Sequence, residues 1–143
     1  IMLTRKYIDD PDAVNICKKV TNYFLNRLPN DYVPFWDLIY NDGDNEPRDS
    51  SAAAIAVCGI LELIKFLPEN DNERSLYKNA IELIMESLYE NYSTKNSPLS
   101  NGILMHAVYS KPANIGVDEC NIWGCYFYME ALARLKLNWN PYW

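Results

Sequence analysis

Histidine occurs once in this chain, at position 106, so a multi-histidine metal site cannot be assembled from it. The four cysteines, Cys17, Cys58, Cys120 and Cys125, form no C-x-x-C pair and match no zinc-ligand spacing. No metal or other cofactor is expected. Basic residues are outnumbered 13 to 19 by acidic ones and nowhere cluster, which with the net charge of −6 argues against a nucleic-acid partner. No membrane partner is expected either, because Asp49, Glu62 and Lys65 bound an apolar run too short to cross a bilayer. The opening IMLTRKYIDD shows no signal-peptide pattern, and the compartment stays open. With Ile before Met, that opening reads as the tail of something longer. No segment alternates apolar and polar residues cleanly with period two, which leaves an all-α fold.

What is present suits one globular domain with a real core: 143 residues, 49% hydrophobic and 22% charged. The aromatic share is high, with 11 Tyr and 4 Trp, and the chain closes on the aromatic group NWNPYW. Such rings are common in sugar-binding clefts and in ordinary interfaces. Asp10-Pro11 reads as an N-cap with proline at the first helical position. Val14, Cys17, Val20, Phe24 and Leu28 then recur at helical spacing up to Pro29.

The next helix is expected from Ser50 to Leu67, and Ala52, Ala53, Ala54, Ala56 and Gly59 spread small residues over every face of it. A helix apolar all round is a buried one, and small residues let neighbouring backbones approach. An amphipathic helix is expected from Asn72 to Tyr92. A last helix is expected from near Asp118 to Leu137, its uncharged first half buried like the Ser50 helix. Amphipathic and fully apolar helices thus alternate along the chain, which suggests an inner and an outer layer.

Three stretches invite a chemical reading. NDGDNEPRD gathers Asp42, Asp44, Glu46 and Asp49 but fails the EF-hand pattern, so a solvated acidic loop that caps the following helix is expected. In VPFWDL, Trp36 beside Asp37 is a pairing able to hold a sugar, ring against pyranose face and carboxylate on hydroxyls, or else a loop anchored by its aromatics. Trp123, in IWGCYFYMEAL, belongs to a group of rings of which one or two could look into a cleft. His106, in an apolar context, is expected to be structural.

VPFWDL, DSSAAAIAVCGILEL, HAVYSKPANIGVDE and IWGCYFYMEALARL occur in order from Val33 towards the end, and together resemble the C-terminal part of unsaturated glucuronyl hydrolases, glycoside hydrolase family 88. The resemblance implies part of a double-layered (α/α)6 barrel of six helical hairpins, with residues 1–143 forming its C-terminal portion and the N-terminal half absent. It implies a hydrolase that removes the 4,5-unsaturated uronic acid left by polysaccharide lyases at the non-reducing end of an oligosaccharide. The family's catalytic aspartates lie in the missing half, so no catalytic residue is expected in this chain, which alone should be inactive. Trp36, Asp37, Ser110 and Trp123 are the expected substrate-binding residues. The implied partners are an unsaturated uronic-acid oligosaccharide and the missing half of the barrel.

Two departures from the family pattern stand out. Cys125 occupies a position where relatives usually carry Asp after Ile-Trp-Gly. Members acting on sulfated glycosaminoglycans resemble Ser-x-x-Ser-x-Lys before Gly-Val-Asp-Glu, and here those positions are Ser110, Ala113 and Ile115. A preference for unsulfated substrate is therefore expected. The alternative is a helical module that binds a carbohydrate or protein without catalysis.

Overall fold

The computed structural model describes residues 2–137, and the closing aromatic group at 138–143 lies outside the described residues. Four helices, α1 (Ala13–Asn26), α2 (Ser50–Ile64), α3 (Asn72–Ser87) and α4 (Ile122–Lys136), carry the fold, and a π turn at Leu88–Tyr92 extends α3. Between α3 and α4 lies one antiparallel hairpin, β1 (Ala107–Ser110) and β2 (Ile115–Glu119).

Capping explains where the helices begin. Asp71 caps α3 by accepting from Glu73 N at 2.9 Å. The first helix begins later than Asp10-Pro11 suggested, because Asp10 accepts from Asp12 N at 2.9 Å and that turn delays the helix to Ala13. The last begins later than Asp118, which lies in β2, and Asn121 is its cap, accepting from Gly124 N at 2.6 Å. Helices α1 and α3 are clamped together by Lys18, 2.7 Å from Asp71 and 2.6 Å from Glu73. Hydrogen bonds to these two carboxylates push the Lys18 ammonium up to about 12. Beneath the clamp, fully buried Tyr77 hydrogen-bonds Asn22 at 3.0 Å.

Helix α2 is the centre of the molecule, as its all-round apolar sequence implied. Ala53, Ala54, Val57 and Leu63 are fully buried, packed among Ile81, Ile84 and Leu88 from α3 and its extension and Tyr128 and Ala131 from α4. Small residues set the α2–α4 spacing. A Cβ on Gly124 would meet Ser51 Cβ at 3.0 Å and Asn121 Oδ1 at 2.7 Å, so only glycine fits where these helix starts meet. The start of α4 is less buried than its uncharged sequence implied: Ile122 is 82% exposed and Met129 57% exposed. The helix meets α2 along one side, and uncharged sequence alone does not show which faces have partners.

Towards its far end the α2–α4 contact holds a buried charge group that hydropathy did not reveal. Arg134 sits 2.9 Å from Glu62 and 2.6 Å from Glu130, and all three side chains are 5% exposed or less. Lys65 reaches Glu62 from the solvent side at 2.8 Å. Removing one member of such a group leaves an uncompensated buried charge, which costs about 3–5 kcal/mol.

Burial by itself would push the Glu62 carboxyl up, but hydrogen bonds from Lys65 and Arg134 outweigh it and hold the group below its usual value. A depressed carboxylate contributes stability that is complete above the unfolded value of 4.5 and lost as pH falls through the lower folded value. Glu62→Gln should therefore lower stability at pH 7 and flatten the acid limb between about pH 5 and 3, read as urea midpoints across pH. An unchanged acid limb would remove Glu62 from the acid response.

Candidate functional site

One carboxylate organises the polar end of the molecule. Asp49 Oδ1 accepts from Ser51 N at 3.0 Å, Ala52 N at 3.4 Å and Ser51 Oγ at 2.6 Å, which caps α2. The same oxygen accepts from Val108 N at 3.3 Å and so holds β1 against the helix start. Next to it, Ser50 Oγ donates to the Met105 carbonyl at 2.5 Å and Ser50 N to the His106 carbonyl at 3.1 Å. Asp49 N donates to the Pro34 carbonyl at 2.8 Å, which closes the loop that carries Phe35, Trp36 and Asp37.

That loop is fixed by its own charges. The Arg48 guanidinium lies 3.7 Å from the centre of the Phe35 ring and bonds Asp31 at 3.0 Å. Asp31 also accepts from the Tyr92 hydroxyl at 2.6 Å. Burial first, and this hydrogen bond second, push the Tyr92 phenol far above its ordinary value. The acidic residues act inside the loop rather than converging on a cation: Asp42 accepts from Asn30 N, Asp44 from Asn41 N and Glu46 from the Trp36 indole. Among the described residues, no group of three His, Cys, Asp or Glu side chains is placed to hold a metal ion.

The hairpin is the element that the period-two search did not find. Ala107 pairs with Glu119 and Val108 with Val117, so Asp118 is the extra residue of a β-bulge. Asp118 has φ 63° and His106, just before β1, also has φ 63°. Their side chains meet, with His106 Nδ1 2.6 Å from Asp118 Oδ1, and the Tyr92 ring packs edge-on against the imidazole at 5.7 Å. Neither strand alternates cleanly between buried and exposed residues, so neither is marked by a period of two in the sequence. The chain is mostly helical, as expected, and this one short hairpin adds to the helical framework without replacing any of it.

The four expected binding residues are not equally placed. Trp36 is half-buried, its indole N–H on Glu46 at 2.8 Å and its ring 5.8 Å from that of Tyr40. Glu46 also meets Lys111 at 3.5 Å, linking the Trp36 loop to the residue after Ser110. Trp123, in the first turn of α4, packs its ring 5.6 Å from that of Tyr109, the residue before Ser110. Trp36, Ser110 and Trp123 are thus tied to one hairpin strand and its turn. Asp37 is not drawn into this group; one of its oxygens accepts from Ile39 N at 3.0 Å within its own loop. Tyr109, which braces Trp123, carries no signal in the sequence, and Glu46 reads there only as one acid of a solvated loop.

No protein-family model matches the chain. Against curated proteins it is 50% identical over 143 residues to unsaturated chondroitin disaccharide hydrolase of Streptococcus pneumoniae, covering 100% of this chain and 36% of that protein. Against unsaturated glucuronyl hydrolase of a Bacillus species it is 33% identical, covering 99% of this chain and 37% of the relative. A crystal structure of unsaturated glucuronyl hydrolase from Streptococcus agalactiae superposes with a TM-score of 0.95 at 47% identity, over 99% of this chain and 38% of that one.

The chain is homologous to part of the unsaturated glucuronyl hydrolases. It spans about a third of the length of the relatives it matches. Its helices form a fragment of the α/α barrel of the unsaturated glucuronyl hydrolases, with the short hairpin included in the matched region. The layered helix pattern read from sequence agrees with this fold.

Asp49→Ala should cost about 2 kcal/mol, because it removes an N-cap and leaves Val108 N–H without its acceptor. Thermal unfolding would measure the loss, and amide exchange at Val108 should accelerate along with exchange at the start of α2. Acceleration confined to α2 would detach the hairpin from this carboxylate.

Proposed function

We propose that residues 1–143 are the C-terminal portion of an (α/α)6-barrel hydrolase whose remaining, N-terminal part supplies the catalytic aspartates. The whole enzyme removes the 4,5-unsaturated uronic acid from the non-reducing end of lyase-generated oligosaccharides. An aspartic acid protonates the C4=C5 double bond, water adds at C5, and the resulting hemiketal opens to release the leaving sugar. One carboxyl group of suitable pKa serves as acid and then as base.

The present residues form the wall that receives the sugar. Trp36 presents a ring whose orientation is held by Glu46, Ser110 presents a hydroxyl at the end of β1, and Trp123 is braced against Tyr109. Asp37 keeps a second carboxylate oxygen for a sugar hydroxyl. The observation that carries this reading is the match of the chain, over 99% of its length, to the Streptococcus agalactiae enzyme at 47% identity, together with the structure of a mutant of that enzyme in complex with dGlcA-GalNAc6S.

The purified 143-residue chain should leave the ultraviolet absorbance of an unsaturated disaccharide unchanged, and the whole protein should abolish it with time. Turnover by the short chain would overturn the division of labour proposed here. Binding without turnover by the whole protein would instead favour a non-catalytic carbohydrate-binding module.

The preference for unsulfated substrate belongs to the same reading. Ser110 pairs with Ile115 across the hairpin, and Ala113 lies in the turn between them. Only the first of the three positions retains a hydroxyl, and no cation stands at the third. Ile115→Lys in the whole enzyme should raise kcat/KM for a 6-sulfated disaccharide relative to its unsulfated counterpart by about tenfold, the effect of one charge-assisted hydrogen bond. A wild-type enzyme that already cleaved the sulfated substrate far better would overturn this assignment.

A further inference from the structure

The start of α4 carries two cysteines that the sugar-binding reading does not use. Asn121 is the N-cap, so Cys120 stands immediately before the cap and Cys125 at the fourth helical position. Residues at these two positions pack against each other in many helix starts. Here both sulfurs converge on Gly102. A Cβ built on that glycine would lie 2.9 Å from Cys120 Sγ and 3.2 Å from Cys125 Sγ, so the sulfurs are no more than about 6.1 Å apart. The place between them is occupied by a residue without a side chain.

Both thiols are free, Cys120 being exposed and Cys125 half-buried. Each is lightly held from the adjoining loop: Cys120 Sγ lies 3.6 Å from Ser100 Oγ, and Cys125 Sγ accepts from Ile103 N at 3.4 Å. The other two cysteines differ. Cys58 is buried in the core, its Sγ donating to the Phe127 carbonyl at 3.4 Å, and burial pushes its thiol up to about 12. Cys17 is half-buried on α1, and burial raises it as well.

We propose that Cys120 and Cys125 form a redox-reactive dithiol that closes to a disulfide by exchange with a low-molecular-weight disulfide such as oxidised glutathione. The exposed Cys120 thiolate attacks one sulfur of the oxidant, whose S–S bond breaks and releases one thiol. The Cys125 thiolate then attacks Cys120 Sγ in the mixed disulfide, forming the intramolecular bond and releasing the second thiol. Two protein thiols are oxidised, one external disulfide is reduced, and the two protons lost by the cysteines end on the released thiols. Closure brings the sulfurs to about 2.05 Å over Gly102. The bond staples the helix turn that carries Trp123 against Tyr109.

The test equilibrates the reduced, full-length protein in glutathione buffers of graded poise, quenches with N-ethylmaleimide and digests with chymotrypsin, which cuts after Trp123. In the oxidising buffers most molecules should give the two flanking peptides joined through Cys120 and Cys125, two hydrogens lighter than the reduced pair. Cys125→Ser should leave Cys120 carrying glutathione as a stable mixed disulfide. Gly102→Ala should lower the linked fraction severalfold, since its Cβ would press against both sulfurs and against Cys120 Cβ. Wild-type protein in which both cysteines are alkylated, or each carries its own glutathione, would overturn the proposal. So would an undiminished linked fraction in Gly102→Ala.

Discussion

The carboxylate of Asp49 is the constraint on which the polar end of this molecule depends. A single oxygen closes the first turn of α2 and also receives the amide of Val108 from the hairpin. The backbone of the same residue closes the Trp36 loop through Pro34, and Ser50 beside it fastens the segment leading into β1. Ser51 completes the junction by lying against Gly124 of α4. Three stretches of the chain, around Pro34, Met105–Val108 and Gly124, therefore meet at three consecutive residues. A charged acceptor suits this half-buried position because several donors converge on it, and a charge-assisted bond is stronger than a neutral one.

The second organising contact lies along α2 and α4 and has two chemically different ends. At one end glycine and serine allow the helix starts to touch, and close packing supplies the attraction. At the other, Arg134 bridges Glu62 and Glu130 in a buried group. A buried ion group of this kind is weak evidence for net stability, because desolvation offsets much of the attraction. What it does impose is register, since sliding α4 along α2 would strand three charges away from water. Glycine contact and charge group together fix both the spacing and the axial position of the helix that carries Trp123.

On the outside of this framework, α1 exposes Ile16, Val20 and Tyr23, and α4 exposes Ile122, Met129, Leu132 and Leu135. On each helix several of these residues stand three or four apart and so share a face. Contiguous exposed apolar surface of this kind marks contact with further protein. The chain spans 36% of the Streptococcus pneumoniae relative and 38% of the Streptococcus agalactiae structure that it matches.

The sequence by itself determined the helical framework. Apolar spacing, caps and prolines placed α2, the Asn72 helix with its extension to Tyr92 and the body of α1, though not its first turn, because these signals act within one or two turns. It also determined that α2 is central, since a helix without a polar face has nowhere else to go. The capping role of Asp49 was legible for the same local reason.

Tertiary structure decided the rest. Asp118 reads locally as the start of a helix, yet the bulge opposite Ala107 makes it the kink of a strand. The uncharged start of α4 reads as buried, yet burial depends on which neighbours exist. Glu46 reads as one acid of a solvated loop, and only the folded chain brings Trp36 and Lys111 to it. Trp36, Ser110 and Trp123 can be picked out in sequence by residue type and family resemblance, but their attachment to one hairpin is a product of long-range hydrogen bonds and ring contacts. Local pattern fixes what a segment can become; pairing between distant segments decides which side chains meet, because that choice is made by partners the local sequence does not contain.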